Sequence, residues 1–96
     1  MKEKTIVGHI MKELRSHGFW TQKIHGNPYQ AAGLPDILAI KAGRAYWIEV
    51  KRPGQRPTRV QRKRLADLFQ VGCVVGVATS VDEALEIVSQ ERGVYE

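Results

Sequence analysis

The sequence contains a single cysteine, Cys73, among its 96 residues. One cysteine cannot form an internal disulfide, and it excludes a zinc site built from several cysteines. No apolar run approaches the roughly 18–20 residues that a membrane-spanning helix needs, so we expect no membrane partner. The N-terminal residues Met1–Lys4 lack the apolar core of a signal peptide, which makes the cytoplasm the expected compartment.

Acidic residues are scarce through the middle of the chain. Between Glu13 and Asp67 there are eleven Lys or Arg residues but only two acids, Asp36 and Glu49. The net charge is +5, and the basic residues are densest in the segment 51–64. Many basic surfaces bind nothing in particular, but a phosphate backbone is the polyanion that a small basic protein most often meets. The charge distribution therefore makes nucleic acid a candidate partner.

The residue patterns predict an α/β fold with the element order αβββαβα. The predicted strands are Phe19–Ile24, Asp36–Ile40, Ala45–Lys51 and Cys73–Ala78, and the predicted helices are Glu3–His17, Thr58–Val71 and a last one from Ser80 to Gly93. Both later helices begin with a capping-box pattern, Thr58 with Gln61 and Ser80 with Glu83. Residues 1–96 fit a single domain in which helices flank a mixed central sheet.

Asp36, Glu49 and Lys51 lie at the same end of one predicted hairpin. Because side chains alternate along a strand, Glu49 and Lys51 share a face. Two carboxylates that converge repel each other, which favours a divalent cation between them, and oxygen ligands suit Mg²⁺ or Mn²⁺. The backbone carbonyl of Val50 could complete the ligand set. Alone, Glu49 and Lys51 would be interpreted as a surface ion pair. However, Asp36 and Glu49 are the only two acids of a long basic tract and lie at the same end of one hairpin, which favours a functional site.

These residues resemble a motif of known nucleases. Gly33-Leu34-Pro35-Asp36, a hairpin, and then Ile48-Glu49-Val50-Lys51 resemble the PD-(D/E)XK superfamily, and the chain looks like its virus-type replication-repair nuclease (VRR-NUC) domain in the standalone, phage-encoded form. The resemblance covers nearly the whole chain, including Gln61 and the segment 80–84. It implies a restriction-endonuclease-like fold.

The resemblance also implies roles for individual residues. Asp36 and Glu49 would hold the metal, and Lys51 would be catalytic, by orienting water, helping to deprotonate it or stabilising the transition-state charge. A first-helix glutamate is expected as a further ligand, often through water: Glu3, with Glu13 as the fallback. Gln61 matches the family's glutamine, so the resemblance also places it among the catalytic residues. Helix capping is an alternative role for Gln61, and placement at a helix N-terminus is one for Glu3.

The expected function is metal-dependent hydrolysis of DNA. The resemblance implies branched DNA, with Holliday junctions as the favoured substrate, and a homodimer in phage replication or recombination. The residues expected to hold the DNA backbone are Arg52, Arg56, Arg59, Arg62 and Lys63. A flap- or end-directed nuclease is the nearest alternative, followed by a non-catalytic DNA-binding module on the same fold.

Overall fold

The computed structural model describes residues 1–90. Its elements, in order, are α1 (Glu3–Ser16), β1 (Trp20–Lys23), β2 (Ile37–Lys41), β3 (Arg44–Val50), α2 (Arg59–Gln70), β4 (Val74–Ala78) and α3 (Val81–Val88). The predicted order αβββαβα is confirmed. Within residues 1–90, no helix is both long and apolar enough to cross a membrane.

The four strands form one mixed sheet in the order β1-β2-β3-β4. β2 runs antiparallel to both β1 and β3, whereas β4 lies parallel to β3. A two-residue turn joins β2 to β3, with Ala42 at a φ of 52° and Gly43 at 76°. Positive φ at both positions matches the strand twist of a tight hairpin. The short turn therefore fixes the register that pairs Ile37 with Ile48.

The helices divide unequally between the two faces of the sheet. α1 and α3 cover one face, where the sheet contributes Ile37, Ile48 and Val50 to the apolar core. α2 contacts β4 and buries Leu65, which lies outside that core. Since Ile48 and Val50 face α1 and α3, strand alternation turns Glu49 toward the opposite face. Glu49 is thus on the face of the sheet that the helices cover less.

Several predicted details differ from the structure. Ser80 accepts a hydrogen bond from the Glu83 N–H, but the Glu83 carboxylate accepts from the backbone N–H and the hydroxyl of Thr79 instead of closing a capping box on Ser80. The last helix ends at Val88 and not at Gly93, which lies outside the described residues. β4 begins at Val74, so Cys73 precedes the strand. Sequence patterns place strand ends poorly because pairing, and not propensity, decides where a ladder stops.

Candidate active site

Asp36 is fixed by hydrogen bonds to two neighbouring strands. Its side-chain Oδ2 accepts a hydrogen bond from the Val50 N–H at 2.8 Å, at the end of β3. Its backbone carbonyl accepts one from the Ile24 N–H at 2.8 Å, just after β1. The other carboxylate oxygen, Oδ1, lies 3.5 Å from Lys23 Nζ. The carboxylate is therefore held where β1, β2 and β3 come together.

Glu49 is a buried carboxylate beside Asp36. Its residue surface is 1% exposed, and Oε2 lies 3.5 Å from Lys51 Nζ, whose side chain is 11% exposed. The other oxygen, Oε1, is buried without a hydrogen-bond partner among the described residues. A buried, unpartnered carboxylate oxygen is costly unless something else satisfies it.

The surroundings of Glu49 favour its protonated form when no cation is present. Burial and then the neighbouring Asp36 carboxylate raise the pKa of Glu49 from 4.5 to about 8, while the Lys51 ammonium opposes the shift. Strongly raised carboxyl pKa values of this kind occur at functional sites more often than elsewhere.

The donor atoms fit a divalent cation of the hard, oxygen-binding type. Asp36 and Glu49 present carboxylate oxygens to one location, and the orphaned Oε1 of Glu49 is an oxygen that a cation would satisfy. Residues 1–90 contain no cluster of three or more His, Cys, Asp or Glu side chains that could hold a metal. Two side chains would therefore bind the ion, with backbone carbonyl or water oxygens as the remaining ligands.

Known proteins resemble this chain in sequence and in fold. The chain is 33% identical over 88 residues to a protein named "Putative nuclease p44" from Acyrthosiphon pisum secondary endosymbiont phage 1, covering 85% of this chain and 87% of that relative. Two solved structures, a "VRR_NUC domain" and a "VRR_NUC domain protein", share its fold. The first has a TM-score of 0.77 at 19% identity, covering 93% of this chain and 96% of its own. The second has a TM-score of 0.70 at 22% identity, covering 100% and 97%.

The chain belongs to the family of this phage nuclease, and it has the fold of VRR-NUC domains. Its fold is accordingly restriction-endonuclease-like, as the sequence predicts. No family model matches the sequence.

The two acids of the first helix, Glu3 and Glu13, occupy different environments. Glu3 is half-buried and lines a cavity of about 530 Å³ together with Asp36, Lys23 and His25. Glu13 lies near the other end of α1, where its carboxylate is 3.3 Å from His17 Nε2 and 45% exposed. The location of Glu3 beside Asp36 therefore favours Glu3 over Glu13 as the further metal ligand expected from the first helix. Among residues 1–90, Glu3 does not form a metal-binding cluster with Asp36 and Glu49.

Gln61 forms the predicted helix cap, and its role in the site stays a prediction. It closes a capping box at the start of α2, where Thr58 N–H donates to Gln61 Oε1 at 2.8 Å and Gln61 N–H donates to Thr58 Oγ1 at 3.2 Å. It also lines a cavity with Asp36. The capping bond uses the amide oxygen, so the amide NH₂ can donate into that cavity.

The predicted DNA-binding residues all lie on the surface. Arg52, Arg56, Arg59, Arg62 and Lys63 are exposed. Arg62 Nη1 donates to the Pro57 carbonyl at 2.8 Å, and Lys63 Nζ lies 3.3 Å from Asp67. These contacts leave the charges accessible to solvent and hence to a phosphate backbone.

Lys23 is a residue of the site that sequence reasoning missed. It is the last residue of β1, and its ammonium group lies between the Ile24 carbonyl and the Asp36 carboxylate. A lone lysine at a strand end is usually solvated, so nothing in the sequence marked it. The register that pairs Lys23 with Ile37 brings it to Asp36, and that register is a tertiary feature.

Proposed function

We propose that this VRR-NUC chain is a metal-dependent endonuclease that hydrolyses phosphodiester bonds in branched DNA, with Holliday junctions as the favoured substrate. The observation that carries the proposal is Glu49, a buried carboxylate with an unpartnered oxygen, set between Asp36 and Lys51. The nuclease name of the phage relative supports hydrolysis of nucleic acid. The basic segment after Lys51 supports binding of a phosphate backbone.

Asp36 and Glu49 would hold Mg²⁺ or Mn²⁺, with the Val50 carbonyl as a third ligand and Glu3 contributing through water. A cation bound there would supply a water of lowered pKa and would neutralise charge on the scissile phosphate. Asp36 is already oriented for this role, because the Val50 N–H holds one of its carboxylate oxygens at 2.8 Å. Such pre-orientation spares the reorganisation that would otherwise accompany binding.

Lys51 would act on the phosphate. Its ammonium group lies 3.5 Å from Glu49 and its side chain is 11% exposed, so water screens its charge only weakly. A desolvated ammonium beside the scissile phosphate stabilises the charge that develops in the transition state, and it can also orient the attacking water. Gln61, which lines a cavity together with Asp36, would hold the water or a phosphate oxygen.

The exposed cations that follow Lys51 would hold the DNA next to the site. They are Arg52, Arg56, Arg59, Arg62 and Lys63. Contacts of this kind go to phosphates and carry no sequence information, so we expect affinity that falls with salt and depends little on base sequence.

The proposal extends to the assembly. Residues 1–96 would act as one nuclease domain, and two copies would form a homodimer, because resolving a four-way junction requires two symmetric cuts. The expected place of action is the cytoplasm of a phage host. Sedimentation at micromolar concentration tests the dimer, and a mass of one chain would contradict it.

The test of the activity is cleavage of a labelled four-way junction in Mg²⁺, in Mn²⁺ and in EDTA. We expect cleavage only with metal, and we expect Asp36→Ala and Lys51→Ala to lose cleavage while they retain junction binding. Lys12→Gln, which changes an exposed lysine on α1, is the matched surface control and should cleave like the wild type.

The other candidate functions predict different results in the same assay. Preferential cleavage of flaps or ends over junctions would establish the flap- or end-directed alternative. Binding without cleavage of any DNA structure, in either metal, would overturn the enzyme and leave a DNA-binding module. Cleavage by Asp36→Ala at the wild-type rate would refute the site.

A further inference from the structure

A second, polar cavity opens beside Asp36, under the loop that connects β1 to β2. Its volume is about 290 Å³. Its polar side chains are Lys23, Asn27, Gln30, Asp36 and Gln61. Apart from Asp36, these are one cation and three amides, which offer hydrogen-bond donors to an anion. Asp36 is thus shared between the metal site and a cavity whose other side chains suit a phosphate.

Lys23 is the one cation of this cavity within the described residues, and its present contacts hold it weakly. Its Nζ donates to the Ile24 carbonyl at 2.9 Å and lies 3.5 Å from Asp36 Oδ1. The lysine side chain is 32% exposed and that of Asp36 is 25% exposed. An ion pair at this exposure contributes little to stability, and a lysine has a flexible stem and three rotatable donors. Lys23 can therefore exchange the carboxylate for another anion without large cost.

The opposite wall of the cavity is fixed in place. Gly33 adopts a φ of +78°, and a Cβ added there would lie 2.7 Å from the Val60 carbonyl oxygen in the first turn of α2. Arg64 Nε donates to the Ala32 carbonyl at 2.9 Å. Both contacts attach the loop to α2, so the cavity is formed before any ligand enters. Preformed sites lose less conformational entropy on binding.

We propose that this cavity binds the DNA phosphate next to the scissile one on the cleaved strand, with Lys23 as the cation that anchors it. Lys23 pairs with Asp36 in the free protein and pairs with this phosphate in the complex. The inference rests on the proposed nuclease function and adds a phosphate subsite and a positioning residue to it. Lys23 holds the strand in place and takes no part in bond breaking.

The test compares Lys23→Gln with Lys23→Arg, and uses Lys12→Gln as a control of equal charge change on an exposed lysine. Mn²⁺ binding is measured by calorimetry without DNA. We expect Lys23→Gln to bind Mn²⁺ about two- to fivefold more tightly than the wild type, because Asp36 loses a competing partner. The Lys12→Gln control should bind Mn²⁺ within about twofold of the wild type.

The second measurement is the kinetics of junction cleavage. We expect Lys23→Gln to raise KM about tenfold with little change in kcat, because a contact made equally in the ground and transition states affects binding alone. Lys23→Arg keeps a cation at the position and should restore KM to within about threefold. Tighter metal binding combined with weaker substrate binding is a pair of opposite effects that a merely structural lysine would not produce.

Two outcomes would overturn the subsite. If Lys23→Gln weakens both Mn²⁺ binding and cleavage, the residue only supports the fold of the site. If KM does not change, the strand does not enter the cavity. Should the wild type cleave no DNA, the proposed function fails, but junction affinity measured by anisotropy in Mn²⁺ still tests the subsite. A tenfold loss of affinity in Lys23→Gln would support it, and an unchanged affinity would refute it.

Discussion

Replacing Glu49 with glutamine should make the metal-free protein more stable while it destroys the proposed activity. Glu49 is 1% exposed, and burial and Asp36 raise its pKa from 4.5 to about 8. In the unfolded chain the same carboxyl ionises near 4.5. Between these two pH values the folded state binds more protons than the unfolded state, so stability falls as pH rises across this window. Glutamine has a similar shape and carries no proton to gain or lose.

The size of the effect follows from the two pKa values. A pH of 7 is about 2.5 pH units above the pKa of the unfolded carboxyl, so that carboxyl is ionised, whereas the folded one is mostly protonated. This difference lowers the stability of the folded protein at pH 7 by roughly 3 kcal/mol. We expect Glu49→Gln to recover about 2–3 kcal/mol of it, since some hydrogen-bonding groups of the buried amide would lack partners. For a domain of this size that gain corresponds to a Tm about 10 °C higher.

Thermal unfolding in EDTA at several pH values measures this difference. The gap between Glu49→Gln and the wild type should be small near pH 4.5, grow up to about pH 8 and then level off. Mn²⁺ should raise the Tm of the wild type alone, because only its site binds the ion. Glu86→Gln, at an exposed position on α3, is the matched control and should change stability by less than about 0.5 kcal/mol. A Glu49→Gln protein less stable than the wild type at pH 8 in EDTA would refute the reasoning.

Four further substitutions test other parts of the structure. Gly33→Ala should cost about 2 kcal/mol in denaturant unfolding, because its Cβ would meet backbone atoms of Val60 and its φ is +78°; an unchanged midpoint would contradict the close approach. Thr58→Ala should cost about 1 kcal/mol by removing the α2 cap, whereas Thr58→Ser should not. Arg59→Gln should reduce the slope of log affinity against log salt by about one. A slope equal to that of the wild type would show that Arg59 does not contact the DNA. Lys51→Met should lower kcat on junctions by about 100-fold or more with little change in binding. Weaker junction binding with an unchanged kcat would show that Lys51 binds the DNA and does not act in catalysis.

The sequence predicted the centre of the site because its arguments were local. Asp36 directly precedes β2, Glu49 lies on β3, and Lys51 directly follows β3. Strand alternation and the tight turn between the two strands place these residues without knowledge of the rest of the fold. The Thr58–Gln61 cap is equally local, and the structure confirms it. Their roles in metal binding and catalysis remain predictions that the cleavage assays must test.

What the sequence could not supply depends on contacts between distant elements. The position of Lys23 follows from its pairing opposite Ile37, and the cavity wall follows from Gly33 packing on Val60 in α2. The carboxylate of Glu83 is a second example. The sequence has the capping pattern, but this carboxylate accepts hydrogen bonds from the backbone N–H and the hydroxyl of Thr79. Those two hydrogen bonds lower the pKa of Glu83, which a motif alone does not reveal.

The turn at Ala42 and Gly43 is a suitable position for attaching a fluorescent label to this protein. It lies at the far end of the hairpin from Asp36 and Glu49, about 17 Å away along five residues of strand. Ala42 is exposed and is the only residue other than glycine with positive φ among residues 1–90, so asparagine or glycine there should fold at least as well. Because residue 73 is the chain's one cysteine and can be replaced, a new cysteine at position 42 would carry a single fluorophore. The fluorescence anisotropy of such a label would follow DNA binding, because the complex tumbles more slowly than the free protein, and the label would lie away from Asp36 and Glu49.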